Sequence, residues 1–135
     1  LTKDPEKTGK LVNHFADKIL SHRKELELYD WIQTEGSENL IIASGVSARI
    51  AKSATKRLQE KGINTDLLII YSLWPTPEDI ILKASQNKNR IIIPEHNFGL
   101  YRREIERLIP REKITGINRV DGELITEEEI MGRFL

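Results

Sequence analysis

The chain has 135 residues, of which 39% are hydrophobic and 31% charged, and its 21 basic and 21 acidic side chains give no formal net charge. This composition indicates one globular domain and disfavours a strongly basic nucleic-acid binder. No apolar run approaches the length of a membrane span. Because cysteine is absent, disulfides, thiol nucleophiles and cysteine-ligated iron–sulfur or zinc sites are excluded.

The amino-terminal sequence, LTKDPEKTGK, lacks the apolar core of a signal peptide. We therefore expect a cytoplasmic protein, and the first residue, Leu1 instead of Met, suggests a fragment or a processed product. Helical spacing of apolar residues predicts one helix from Pro5 to Leu28. The next segment, LYDWIQT (Leu28 to Thr34), is strand-like and ends in a turn at 35–38.

The rest of the chain alternates apolar runs with helical patterns. The predicted strands are Asn39–Ser44, Asp66–Leu73, Arg90–Pro94 and Lys113–Val120, and the predicted helices are Val46–Lys61, a helix starting at Pro77, Leu100–Ile109 and a final helix after Thr126. Such alternation implies right-handed crossovers. We expect an α/β three-layer sandwich with a mostly parallel central sheet of about five strands, in which LYDWIQT can pair antiparallel at an edge.

Helix ends carry recognisable signals. Gly62, followed by Ile63, is placed for a left-handed C-cap with its apolar contact. Thr76 is the predicted N-cap of the helix that begins at Pro77. The run 126–129 has the pattern of a capping box.

Ligands of open α/β sheets bind beyond the carboxyl ends of the strands, and three loops qualify here. In the first, Ser44 and Gly45 precede a helix whose free N–H groups, with Arg49, suit a phosphate or carboxylate. The alternative is a tight turn with a serine cap. In the second loop, Trp74 is either an interface residue or part of the core.

The third loop is the most polar, since Glu95 and His96 stand together at a strand end. Such a pair suits acid–base chemistry, but neighbouring strand residues face opposite ways. Asn97 can cap the following helix and Gly99 allows a positive φ. The alternative is a capped turn with a surface histidine. No metal site or catalytic constellation is predicted, because the histidines lack ligand spacing and no nucleophile motif occurs.

From Ser44 onward, three segments resemble one family. SGVSARIAKSATKRLQEKGINTDLLIIYSLWPTP is similar to a GS-x-x-R stretch with a proline-rich helix start, IIIPEHNFG to V-V-E-x-N-x-G, and VDGELITEEEI to G-G-x-P-I-T-P-E-E-I. The family is the 2-oxoacid:ferredoxin oxidoreductases, and the matching part is core domain II of the pyruvate enzyme type, the transketolase C-terminal-like domain that ends the alpha subunit. On this resemblance, residues 1–28 are a lead-in helix and residues 29–135 are that domain.

The resemblance places several candidates on family motifs: Gly45 and Arg49 on GS-x-x-R, Pro75 and Pro77 on P-F-P, and Glu95, Asn97 and Gly99 on E-x-N-x-G. The departures are Val46, Thr76, Pro94 and Leu100, where the family usually has Ser, Phe, an aliphatic residue and Gln. They put a ligand role of these loops in doubt and leave the apolar strand pattern intact.

The resemblance implies an enzyme that oxidatively decarboxylates a 2-oxoacid, of the 2-oxoglutarate or pyruvate type, with coenzyme A and ferredoxin. Thiamine diphosphate, Mg²⁺ and iron–sulfur clusters would belong to the full complex and not to this chain, which has neither cysteine nor the family's G-D-G pyrophosphate motif. The implied partners are the remainder of the alpha subunit and a thiamine-diphosphate-binding beta subunit, in a complex that can be a larger oligomer. No contact with nucleic acid or membrane is expected.

On this hypothesis the chain acts in subunit assembly, is inactive alone, and exposes apolar groups that a partner covers. Trp74, Phe98 and Tyr101 are the candidates. Two alternatives stay open. One is an independent small-molecule or nucleotide-phosphate-binding α/β module that uses the loop at Gly45. The other is the C-terminal domain of a different thiamine-dependent, transketolase-like enzyme.

Overall fold

The computed structural model describes residues 4–135. Its elements in chain order are α1 (Pro5–Ser21), α2 (Arg23–Leu26), β1 (Tyr29–Ile32), β2 (Asn39–Ser44), α3 (Gly45–Glu60), β3 (Thr65–Ile70), α4 (Glu78–Ser85), β4 (Arg90–Glu95), α5 (Leu100–Ile105), a 3₁₀ turn (Arg111–Lys113), β5 (Ile114–Asn118) and α6 (Glu127–Met131). No helix within residues 4–135 is long and apolar enough to cross a membrane.

The five strands form one sheet in the order β1-β3-β2-β4-β5. β1 pairs antiparallel with β3, while the β2–β3, β2–β4 and β4–β5 pairs are parallel. The prediction of a mostly parallel sheet with an antiparallel edge strand is therefore confirmed. The parallel strands place their carboxyl ends, and the loops that follow them, at one edge of the sheet, which we call the carboxyl edge.

The three central strands, β2, β3 and β4, are buried on both faces, which explains why they are apolar runs without alternation. In β2, Ile41 and Ala43 belong to the core that α3 and α6 cover. Leu40 and Ile42, which point the other way, belong to the core that α4 and α5 cover. These two apolar layers around one sheet make the predicted three-layer sandwich.

Two of the predicted helix signals are confirmed by geometry. After α3, Gly62 has φ +76° and the N–H of Ile63 donates to the Leu58 carbonyl at 2.9 Å, while Ile63 packs on the core. Before α6, Thr126 Oγ1 accepts from the Glu129 N–H at 3.2 Å, and a Glu129 carboxylate oxygen accepts from the Thr126 N–H at 2.7 Å. This reciprocal pair is a complete capping box.

The predicted amino-terminal helix is divided in two. α1 ends at Ser21, and α2 begins after His22, whose backbone (φ −107°, ψ 18°) is not helical. The apolar spacing does predict a helix correctly, but no residue of α1 is buried: Leu11, Val12 and Phe15 are 49%, 58% and 55% exposed. The described part of the chain therefore leaves the apolar face of α1 uncovered.

Other predicted boundaries are wrong by a few residues. Thr76 is not the N-cap, because Pro77 holds that position and α4 begins at Glu78. β3 ends at Ile70, since the next N–H donates to the Leu28 carbonyl and not to a strand. Two later elements are also shorter than predicted, since α5 ends at Ile105 and β5 covers only Ile114–Asn118.

Candidate functional site

The carboxyl edge contains a topological switch point between β2 and β4. The connection after β2 leads through α3 to β3 on one side, and the connection after β4 leads through α5 to β5 on the other. β2 and β4 pair only as far as Ile41 and Ile92, although each strand continues for three more residues. A crevice therefore opens between the first and third predicted loops, where open α/β sheets bind ligands.

Glu95, at the end of β4, is buried, and its carboxylate is occupied by backbone. One oxygen accepts from the Tyr101 N–H at 2.8 Å and the other from the Arg102 N–H at 3.2 Å. These are orphan N–H groups of the first turn of α5, where a negative charge is also favoured by the helix dipole. The Glu95 carboxylate thus binds the N–H groups in the first turn of α5 and does not point into the crevice.

His96 spans the crevice and uses both ring nitrogens. Nε2 accepts a hydrogen bond from the Ile125 N–H at 3.0 Å. Because Nε2 is an acceptor, the proton of the neutral ring lies on Nδ1, which donates to Ser47 Oγ at 3.0 Å. His96 therefore joins the end of β4 to the start of α3 and to the segment before α6, and it makes no hydrogen bond with Glu95 within residues 4–135.

The remainder of the third loop is a capped turn. Asn97 Oδ1 accepts from the N–H groups of Gly99 (2.8 Å) and Leu100 (2.9 Å), and Gly99 has φ +80°. The positive φ of Gly99 matches its predicted role, but Gly99 and not Asn97 is the N-cap of α5, and Asn97 forms the turn that precedes it. The turn orients the start of α5 and leaves the Phe98 side chain 72% exposed.

The first loop does not form the predicted serine cap. Ser44 is the N-cap of α3, but its side chain makes no capping hydrogen bond, and Gly45 has φ +56°. The buried serine that bonds across the crevice is Ser47, which the sequence reasoning did not single out. Arg49 is exposed, and its side chain makes no hydrogen bond or ion pair with the other residues of 4–135.

The second loop places large apolar groups in solvent. Trp74 is 63% exposed, so its interpretation as a core residue is wrong, and it precedes Pro75 through a cis peptide bond. Tyr101 is different: it is half-buried against the core under α4 and α5, and burial raises the pKa of its phenol. Trp74 and Phe98, but not Tyr101, therefore stand out from the carboxyl edge.

A cleft of about 370 Å³ lies beside His96. It is lined by Val46, His96, Arg119, Val120, Gly122, Glu123 and Leu124. Arg119, at the carboxyl end of β5, pairs with Glu129 and lies 3.9 Å from Asp121. The sequence reasoning missed Arg119 because it falls inside the predicted strand Lys113–Val120, whereas β5 ends at Asn118 in the structure.

A family model described as pyruvate:ferredoxin oxidoreductase core domain II matches residues 37–130. The chain belongs to this family. The predicted resemblance is thereby confirmed, and the matched segment runs from the turn before β2 to the middle of α6.

Curated relatives of this core domain II are subunits of 2-oxoacid oxidoreductases. The 2-oxoglutarate synthase subunit KorA of Archaeoglobus fulgidus is 36% identical over 101 residues, 74% of this chain and 29% of that protein. The ketoisovalerate oxidoreductase subunit VorB of Methanothermobacter thermautotrophicus is 29% identical over 120 residues, 88% of this chain and 34% of that protein. The chain thus spans about a third of the length of the curated relatives it matches.

A solved enzyme shares the fold of core domain II. It is the 2-oxoglutarate:ferredoxin oxidoreductase from Magnetococcus marinus, a structure with 2-oxoglutarate, coenzyme A and succinyl-CoA bound. It superposes with a TM-score of 0.80 at 21% identity, covering 98% of this chain and 23% of that chain. Because the superposition covers 98% of this chain, it includes the 17-residue helix α1.

Proposed function

We propose that this chain is the C-terminal domain of the alpha subunit of a 2-oxoacid:ferredoxin oxidoreductase that converts 2-oxoglutarate with coenzyme A. The match to core domain II over residues 37–130 carries the proposal. The substrate class follows the names of the relatives, which include three 2-oxoglutarate synthase subunits that are 28% to 36% identical to this chain. A cytoplasmic location and an oligomeric complex are parts of the same proposal.

Within that enzyme, we assign the chain to subunit assembly. The polar groups nearest the switch point already serve the domain itself, since the Glu95 carboxylate caps α5 and both nitrogens of His96 are bonded. The exposed groups at this edge are mainly apolar. They suit a protein partner better than a small polar substrate.

The apolar groups come from the loops and helix starts that follow three neighbouring strands. We call them the carboxyl-edge surface, which consists of Val46, Leu73, Trp74, Phe98 and Leu100, between 43% and 72% exposed. Tryptophan and phenylalanine are enriched in the cores of protein interfaces. Arg49, exposed beside them, supplies a cation for the rim.

The cofactors of the proposed enzyme do not fit the residues of this chain. No G-D-G motif and no cysteine occur in the sequence, and residues 4–135 contain no cluster of three His, Asp or Glu side chains that could hold a metal ion. We therefore place thiamine diphosphate, Mg²⁺ and iron–sulfur clusters in other parts of the complex. The thiamine-diphosphate-binding beta subunit and the remainder of the alpha subunit are the proposed partners.

The test is an anaerobic assay of the full-length alpha subunit purified with its beta subunit. We expect coenzyme A-dependent reduction of ferredoxin with 2-oxoglutarate to exceed that with pyruvate or 3-methyl-2-oxobutanoate. No turnover is expected from the 135-residue chain alone. If another 2-oxoacid is preferred, the substrate assignment is wrong, and turnover by the isolated chain would overturn the assembly role.

Assembly is tested separately by Trp74→Asp, which places a charge on the carboxyl-edge surface. We expect the full-length alpha subunit with this substitution to lose its contact with the beta subunit or with the rest of its own chain, so that less assembled complex is recovered on purification. The matched control is Gln33→Asp, at an exposed position beyond β1. Equal recovery with both variants would contradict the proposed surface, whereas saturable nucleotide binding that Arg49→Ala abolishes would favour the independent binding module.

A further inference from the structure

α1 carries an apolar face that the described residues leave open. Leu11, Phe15, Ile19 and Val12 fall within about 100° of arc when successive residues turn by 100°. Leu11, Val12 and Phe15 are about half exposed, and Leu20, which lies about 80° beyond Val12 around the helix, is 55% exposed. The charged residues of α1 all lie outside this arc, so the helix is amphipathic without having buried its apolar side.

A helix in this situation needs a partner to be stable. α1 has 17 residues, and in proteins most of the stability of such a helix comes from packing of its apolar face and not from intrinsic propensity. Its N-cap is good, since Asp4 accepts from the Glu6 and Lys7 N–H groups, but a cap contributes only about 1 kcal/mol. The apolar face therefore has to be covered in the working protein.

The charges of α1 argue against a membrane as that partner. The helix has three lysines (Lys7, Lys10, Lys18) and two acidic residues (Glu6, Asp17), with Asp4 at its N-cap. Helices that lie on anionic lipid surfaces carry an excess of Lys and Arg on the polar face. A nearly neutral polar face fits contact with protein.

The base of α1 is fixed to the carboxyl edge. Directly after the break at His22, Arg23 donates to the Thr76 carbonyl at 2.6 Å and to the Glu27 carboxylate at 2.8 Å. The Leu28 carbonyl accepts from the Tyr71 N–H at 2.9 Å. The carboxyl end of α1 is thus held close to the loop that carries Trp74.

We propose that the apolar face of α1 docks onto the part of the same subunit that lies outside this domain. The curated relatives are about three times as long as the segment matched here, and in the solved enzyme a chain of which this domain is 23% keeps the same fold over 98% of the present residues. On the proposed function, the remainder of the subunit precedes α1 in the same polypeptide, and this tether gives it a high effective concentration at the apolar face of α1. The inference rests on the proposed function, because it takes this chain as one domain of the alpha subunit.

The experiment is hydrogen–deuterium exchange on the full-length alpha subunit in its complex and on the 135-residue chain. We expect the amides of residues 8–20 to exchange at least about tenfold more slowly in the full-length subunit, because docking removes local opening. Phe15→Glu in the full-length subunit should return these amides to the rate seen in the short chain. The control Asn13→Glu has the same charge change on the polar side of α1 and should leave protection intact.

Three results would overturn the inference. The first is equal exchange of residues 8–20 in both forms, and the second is equal protection in the two variants. The third is protection in the short chain that rises with its concentration together with a dimer in sedimentation, which would identify a second copy as the occupant. Turnover of the complex is measured independently. An active complex with an unprotected α1 would refute the docking of α1 alone. A protected α1 in an inactive complex would refute only the proposed function.

Discussion

The two ends of the sheet are built differently. At the amino end of β3, Asp66 and Lys88 are both buried and their Nζ and Oδ2 atoms lie 2.8 Å apart. Lys88 also donates to the Ser37 carbonyl at 2.6 Å, and Asp66 Oδ1 accepts from the Thr34 N–H at 2.8 Å. At the carboxyl edge, the hydrogen bonds of Glu95 and His96 are flanked by exposed Trp74 and Phe98.

This difference indicates that the amino end of the sheet stabilises the domain, whereas the carboxyl edge is suited to contact with another protein. The amino-end pair ties the β1–β2 turn, β3 and the α4–β4 loop together, and its partners all lie within the domain. At the carboxyl edge, the Glu95 carboxylate and the His96 ring are hydrogen-bonded within the domain, whereas large apolar side chains remain exposed. Apolar groups kept exposed on several loops at one edge are typical of a surface that meets another protein.

The largest expected effect is at the amino end, for Lys88→Met. The substitution leaves the Asp66 carboxylate buried without its cation, and breaking a buried pair in this way costs about 3–5 kcal/mol. Urea unfolding of the 135-residue chain should show this loss of unfolding free energy. Lys56→Met, at an exposed position of α3, is the control, and a similar small change in both variants would contradict the assigned role of the pair.

Glu95→Gln is expected to have the next largest effect. The amide keeps one acceptor oxygen but turns an NH₂ group toward a backbone N–H, so the unfolding free energy should fall by about 2 kcal/mol. The same urea titration measures it, with Glu104→Gln on the exposed side of α5 as the control. An unchanged midpoint would mean that the carboxylate is not needed to begin α5.

Ser47 and His96 should be coupled across the crevice. Each single alanine variant is expected to lose about 1 kcal/mol, and the double variant should lose less than the sum, because the shared hydrogen bond is counted once. A double-mutant cycle from urea unfolding gives the coupling energy. Strict additivity would show that the bond at 3.0 Å contributes nothing to holding β4 against α3.

The smallest expected effect concerns pH at the start of α6. The hydrogen bond from the Thr126 N–H, aided by Arg119, holds the pKa of Glu129 below its usual range. A lowered folded-state pKa contributes stability that is present above the unfolded pKa of about 4.3 and is lost as pH falls through the folded pKa. Unfolding midpoints between about pH 5 and pH 3 should therefore decline less steeply in Glu129→Gln than in the natural chain, and parallel declines would contradict this.

The sequence was sufficient for the features that depend on local chemistry. Short apolar runs such as 39–44, between turn signals and helical patterns, are typical of strands buried on both faces, and the pattern at Thr126 and Glu129 satisfies orphan N–H groups within one turn. The positive φ of Gly99 follows from the same short-range logic. Family membership was also readable, because it depends on the order of several short motifs and not on any contact.

Tertiary structure decided what each side chain meets. Trp74 is of a residue type that is usually well buried, but the turn after β3 leaves its side chain exposed to solvent. No local sequence pattern reveals that orientation. Ser47 and His96 are 49 positions apart, and only the strand order places β2 beside β4. The helical spacing in α1 shows an apolar face but not its partner, because burial is a property of the neighbours in space and not of the helix.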